Sequence, residues 1–223
     1  MHAGQELQAS DADCVSLRAQ HAFNCNRGGG AIRRHDCVVR ALGRCVRQVG
    51  LVATVEPRAI YEGTGNGGPD LALFEFPWAG DRREMVFVDV AVVNPAQKSS
   101  AEENSRVPLK AAARREACKQ REYAALEESR RGLVVGAAIE TPGGLGAGFW
   151  HILNKAAKFG EAEEVPLPDH VTWTANKFSS YMHQQIAVAL VNSSYRMRSF
   201  PIDSKWGPGQ SVARGVGNRD MAP

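Results

Sequence analysis

The chain contains no apolar run near the roughly 18 residues that a membrane span requires, and no stretch has the pattern of a secretory signal peptide. Cysteine is sparse and irregular, with Cys14, Cys25, Cys37, Cys45 and Cys118 making five in all. An odd count without a secretory signal builds no disulfide framework and points to a reducing, intracellular compartment. No internal repeat is evident, which sets solenoid architectures aside. Excess charge is small too. A net charge of +3 accommodates nucleic acid without demanding it. The Gly-rich segment 141–148 has no following Gly-Lys-Ser/Thr, so it is no Walker loop. What remains is 223 residues at 43% hydrophobic content, enough for one domain with a real core and some chain to spare.

The stretch that organises the chain is GGPDLALFEFPWAGDRREMVFVDVAVVNP, residues 67–95. It reads as two strands, 71–76 and 85–93, joined by a turn holding Pro77, Gly80 and Asp81. Asp70 opens the first strand and Asp89 sits in the middle of the second. An unpaired buried carboxylate costs several kcal/mol, so an aspartate inside MVFVDVAVV needs a partner. A hard cation such as Mg²⁺, or Mn²⁺ in its place, held jointly by Asp70 and Asp89, would be one. Neighbouring strands lie about 4.8 Å apart, so the two side chains can share an ion if they point the same way. Such a pair suits phosphodiester hydrolysis, in which the cation activates water and offsets charge on the phosphoryl oxygens.

The flanking segments give the architecture. Residues 35–49 carry a helical pattern in Val38, Leu42, Cys45 or Val46, and Val49, with Asp36 at the start and Gly50 closing it. Arg40, Arg44 and Arg47 form a second stripe, a solvated face or a phosphate contact. A short strand is expected at 51–55, a polar loop at 98–106, and a long helix at 109–131 with Pro108 in its first turn. A fourth strand follows at 133–139, then helices at 149–159 and 172–197. His151 and His183 on those last helices read as packing or surface residues. Helix, three strands, helix, strand predicts an α/β fold with a mixed sheet flanked by helices. This αβββαβ order matches the restriction-endonuclease-like, or PD-(D/E)XK, core, here followed by C-terminal helices. The division expected is a knuckle-like segment at 1–34, the core at 35–142, a helical extension at 143–200 and a disordered tail at 201–223.

In that motif a lysine follows two residues after the second acid, where this chain has Ala91. Another lysine must then complete the site. Lys119 is the candidate, because the helix after the third strand packs beside that acid. Glu116 and Tyr123 share its stripe. Upstream, Cys14, His21 and Cys25 are candidate zinc ligands, one short of a tetrahedral set, with Asp11 where a first cysteine would stand.

Taken together, HAFNC (21–25), GGGAIRRHD (28–36), VEP (55–57), PDL (69–71), VDVAVVNP (88–95), AAARREACKQREY (111–123) and GLVVGAAIETPGGLG (132–146) resemble a known family. It is the restriction-like endonuclease domain at the C-terminus of site-specific non-LTR retrotransposon polyproteins. The resemblance implies a nuclear enzyme that nicks target DNA so that a linked reverse transcriptase can prime on the cut end. DNA, and element RNA, would be its partners. It implies Asp70 and Asp89 as metal-binding catalytic acids and Lys119 as a displaced catalytic lysine. His35 and Asp36 fall on the family's His-Asp pair, and with Glu116 and Tyr123 would support catalysis. Arg33, Arg34, Arg40 and Arg44 would meet DNA phosphates. The chain departs from the pattern at Asp11, at Gly68, where a basic residue is common, and in lacking the Tyr-x-Asp-Asp of a polymerase. A catalytically inactive nucleic-acid-binding remnant of such a polyprotein is the alternative expectation.

Overall fold

The computed structural model of the protein describes residues 30–57, 68–80, 82–97, 99–127, 132–169 and 175–199. Helix α1 (Gly30–Gln48) turns Val38, Val39, Leu42, Cys45 and Val46 inward, each at most 4% exposed. The three- and four-residue spacing predicts this face. The helix takes in Gly30 to Arg34, ahead of the start expected at residue 35, because Ala31, Ile32, Arg33 and Arg34 offer nothing to stop it. His35 and Asp36 therefore lie more than a turn inside the helix instead of at its head.

Four strands follow: β1 (Val52–Val55), β2 (Leu71–Ala79), β3 (Arg82–Val93) and β4 (Leu133–Glu140). They form one sheet in the order β1-β2-β3-β4. The first three pair antiparallel and β4 joins β3 in parallel. A parallel neighbour needs a crossover. Here it runs through α2 (Ala101–Arg106) and α3 (Lys110–Glu127). The αβββαβ order and the mixed sheet covered by helices are as expected.

Three local expectations give way. β2 continues past Phe76 through Pro77 to Ala79, so the turn into β3 is tight and uses Gly80 at φ +57°. Proline is tolerated there because β1 pairs only with Leu71 to Phe74, and the strand is irregular around Glu75, whose φ is +49°. Part of the expected polar loop at 98–106 is the helix α2, with Glu102 and Glu103 in its first turn. Finally, α3 begins at Lys110, since Leu109 at φ +59° separates Pro108 from it.

Helices α4 (Ala147–Ala162) and α5 (Phe178–Ser199) complete the fold. With α1 they cover one face of the sheet, where Leu71, Leu73, Phe76, Val86 and Val88 meet Leu42, Phe149, Ile152, Met182 and Ile186 in one apolar cluster. The C-terminal helices thus form a wall of the main core. The strands' apolar side chains need that cover. The opposite face carries α3 over two small clusters, Ala72, Phe87, Tyr123 and Val134, and Ala91, Ala112 and Ala138. No described helix is long and apolar enough to cross a membrane. The zinc candidates Cys14, His21 and Cys25, and the tail from 201 to 223, lie outside the described residues.

Candidate active site

Asp89 points from β3 toward α3 and is buried, at 6% exposure. Its Oδ2 accepts a hydrogen bond from the Tyr123 hydroxyl at 2.6 Å and an ion pair from Lys119 Nζ at 3.0 Å. Lys119 and Tyr123 are four residues apart on α3 and reach the same oxygen. Lys119 Nζ also contacts Glu122 Oε2 at 3.0 Å. Burial by itself would lower the lysine pKa, but the hydrogen bonds to Asp89 and Glu122 outweigh it and hold the ammonium above its ordinary value. The aspartate in the apolar strand is thus met by a cation and a phenol.

The approach of α3 depends on Gly136. It is the register partner of Asp89 in the parallel β3–β4 pair. A Cβ at 136 would stand 3.0 Å from the Lys119 Cβ and 3.1 Å from the Glu116 carbonyl oxygen. Only glycine lets the helix lie this close to the strand, and that closeness brings Lys119 over Asp89.

Asp70 brackets Asp89. Its backbone N–H donates to Val88 O at 2.8 Å, and its Oδ2 accepts from the Val90 N–H at 2.7 Å. His35 arrives from α1. Its Nε2 lies 3.1 Å from Asp70 Oδ2 and 3.1 Å from Val90 O, and its Nδ1 lies 3.2 Å from Asp36 Oδ1. Burial pulls the imidazole pKa down. The hydrogen bond and charge of Asp70, then Asp36 and the Val90 carbonyl, more than reverse this and raise it to about 9. His35 is therefore an imidazolium at neutral pH.

Two expected members stand elsewhere. Glu116 turns away from the acids, and its Oε1 accepts from the N–H groups of Ala138 at 3.0 Å, Gly148 at 3.1 Å and Phe149 at 3.4 Å. Three residues of helix advance about 300°, leaving Glu116 roughly 60° around from Lys119. That offset aims its carboxylate at the start of α4, where unpaired N–H groups favour an anion. Arg34 is buried at 4% exposure and does not share the exposed surface of Arg33, Arg40 and Arg44, since its place on α1 falls on the core side. Sequence reasoning passed over Gly136 and Glu122. The signals available were a glycine inside an apolar strand and an acid three residues after the lysine.

The donor set suits a hard cation. Each acid commits Oδ2 to protein donors, while its Oδ1 meets no donor among the described residues. Among those residues no group of three or more His, Cys, Asp or Glu side chains gathers as a metal site. Two carboxylates are nevertheless what Mg²⁺ commonly takes from a protein, keeping waters and substrate phosphates for its other positions. Compared with known proteins, the chain matches no family model and no curated relative.

Proposed function

We propose that the chain is a metal-dependent DNA endonuclease domain of retroelement origin, nicking target DNA for target-primed reverse transcription in the nucleus. The observation that carries this reading is Asp89, buried in β3, meeting Lys119 at 3.0 Å while Asp70 grips the residues on either side of it. Asp70 and Asp89 would hold Mg²⁺, or Mn²⁺, through the oxygens their protein partners leave. When bound, the cation lowers the pKa of water and offsets charge on the phosphoryl oxygens. Lys119 replaces the lysine missing at position 91 and supplies a fixed ammonium for the attacking water or the developing charge. Tyr123 holds the Asp89 carboxylate in place through Oδ2. Arg33, Arg40 and Arg44, exposed on α1, would meet phosphates of DNA or element RNA.

A second reading, a nucleic-acid-binding remnant without catalysis, draws on the same cluster. Lys119 and His35 each already pair with one of the acids, so the fold does not need a metal to tolerate them. Nicking of supercoiled plasmid with Mg²⁺ separates the two. The nuclease reading expects nicking that falls by at least about 10²-fold in Asp70→Ala, Asp89→Ala and Lys119→Ala. Salt-dependent DNA binding with no metal-dependent nicking in the wild type supports the remnant. Nicking unchanged in both aspartate variants removes these acids from the mechanism.

A further inference from the structure

The proposed mechanism leaves His35 and Asp36 without a part, although His35, backed by Asp36, ties α1 to the end of the β2–β3 pair. Every oxygen facing the imidazole is an acceptor. Nε2 meets Asp70 Oδ2 and the Val90 carbonyl, so it must carry a hydrogen shared between them. Nδ1 meets Asp36 Oδ1, which fixes the ring from its other side. Val38 and Val39, just beyond it on α1, are buried in the main core, so the ring stands on a rigid support. Asp70 Oδ2 thereby receives two donors, Val90 N–H and His35 Nε2–H. A carboxylate gripped twice on one oxygen cannot rotate without breaking both bonds, and its Oδ1 is held in one direction. Asp89 is treated alike, with Tyr123 and Lys119 both on Oδ2.

From this we infer that His35, braced by Asp36, is a positioning residue that presents Asp70 Oδ1 to the divalent cation. The inference rests on the reading of Asp70 and Asp89 as the metal-binding pair. Groups that orient a metal ligand through hydrogen bonds are worth about 10–100-fold in affinity.

The test is direct binding of Mn²⁺, followed by electron paramagnetic resonance on the full chain without DNA, with thermal melts on the same samples. Asp70→Ala should lose the site. His35→Ala should bind Mn²⁺ about 10–100-fold more weakly. His35→Gln, whose amide N–H₂ can still donate to Asp70 and Val90, should recover most of that loss, and the shorter His35→Asn should not. A structural role alone would lower the melting temperature and leave the Mn²⁺ affinity of the folded variant unchanged. Wild-type affinity in His35→Ala, with the site lost in Asp70→Ala, overturns the inference and spares the metal site. If the alanine variant does not fold, the Gln and Asn variants decide, and equal affinities in the two overturn it. Wild-type affinity in Asp70→Ala fails the metal-site reading itself and the inference with it.

Discussion

On one face of the sheet three helices bury large side chains to almost complete exclusion of water, among them Leu42, Phe149, Ile152, Met182 and Ile186. On the other the polar helix α3 rests on Ala72, Ala91 and Ala138 with Phe87 and Val134, and adds its own Ala112 and Tyr123. The thick side supplies hydrophobic stabilisation in proportion to buried area. The thin side is where Asp89, Lys119 and Tyr123 meet, because short side chains let a helix and its charges come close to the strand. Asp70 joins the two, touching α1 of the thick side through His35 while gripping the strand that presents Asp89 to the thin side. The contrast teaches that stability and the candidate chemistry are concentrated in different layers, which His35 and Asp70 join at the end of the β2–β3 pair.

The largest effect should come from the thick side. Phe149→Ala, at a position fully buried, should cost about 3–5 kcal/mol in urea denaturation. Val134→Ala on the thin side should cost about 1.5 kcal/mol. Equal costs would break the comparison. Next, Lys119→Met should destabilise by about 2 kcal/mol, less than for a fully buried pair because the lysine side chain keeps 16% exposure. Adding Asp89→Asn to that variant should recover stability, because the stranded carboxylate is gone. A double variant as unstable as the sum of the singles would mean that the pair is not coupled.

Gly136→Ala should cost about 1–2 kcal/mol as α3 is pushed outward. It should reduce nicking by more than that stability loss explains, with the protein still folded. Retained nicking would show that the close approach is not what places Lys119. A further effect is set by pH. The His35 pKa, about 9 in the fold against an ordinary 6.5, lies above its unfolded value. Its contribution to stability is thus fully present below about pH 6.5 and is lost as pH rises through about 9. In metal-free protein, the stability gap between wild type and His35→Gln should shrink across that window, and a gap that widens would reverse the assignment.

The alternation of apolar runs and turn residues makes the helices and strands legible, and the crossover order then leaves few topologies. Asp89 is legible for a simple reason: a lone carboxylate in an apolar strand must be compensated by something. Its compensation by Lys119 is less so, since the two lie on separate elements and periodicity says only that Lys119, Glu116 and Tyr123 share a side of a helix. That stripe is too coarse to tell that Glu116 swings to the start of α4. Pro77 misleads for the opposite reason. Proline signals a turn by default, and only the shortness of β1 reveals that this part of β2 can tolerate it. The His35–Asp70 contact joins residues 35 apart with no local pattern to announce it.

The grip of Asp70 on β3 has one more consequence. In a regular ladder an amide proton is guarded by a neighbouring carbonyl, and its exchange with deuterated solvent follows the opening of the strands. At Val90 the guard is a carboxylate. The exchange rate and chemical shift of that single proton should therefore follow what happens to Asp70, its protonation or its capture by another charge, even while the sheet stays closed. One peptide group in the middle of the chain becomes a spectroscopic gauge of the site.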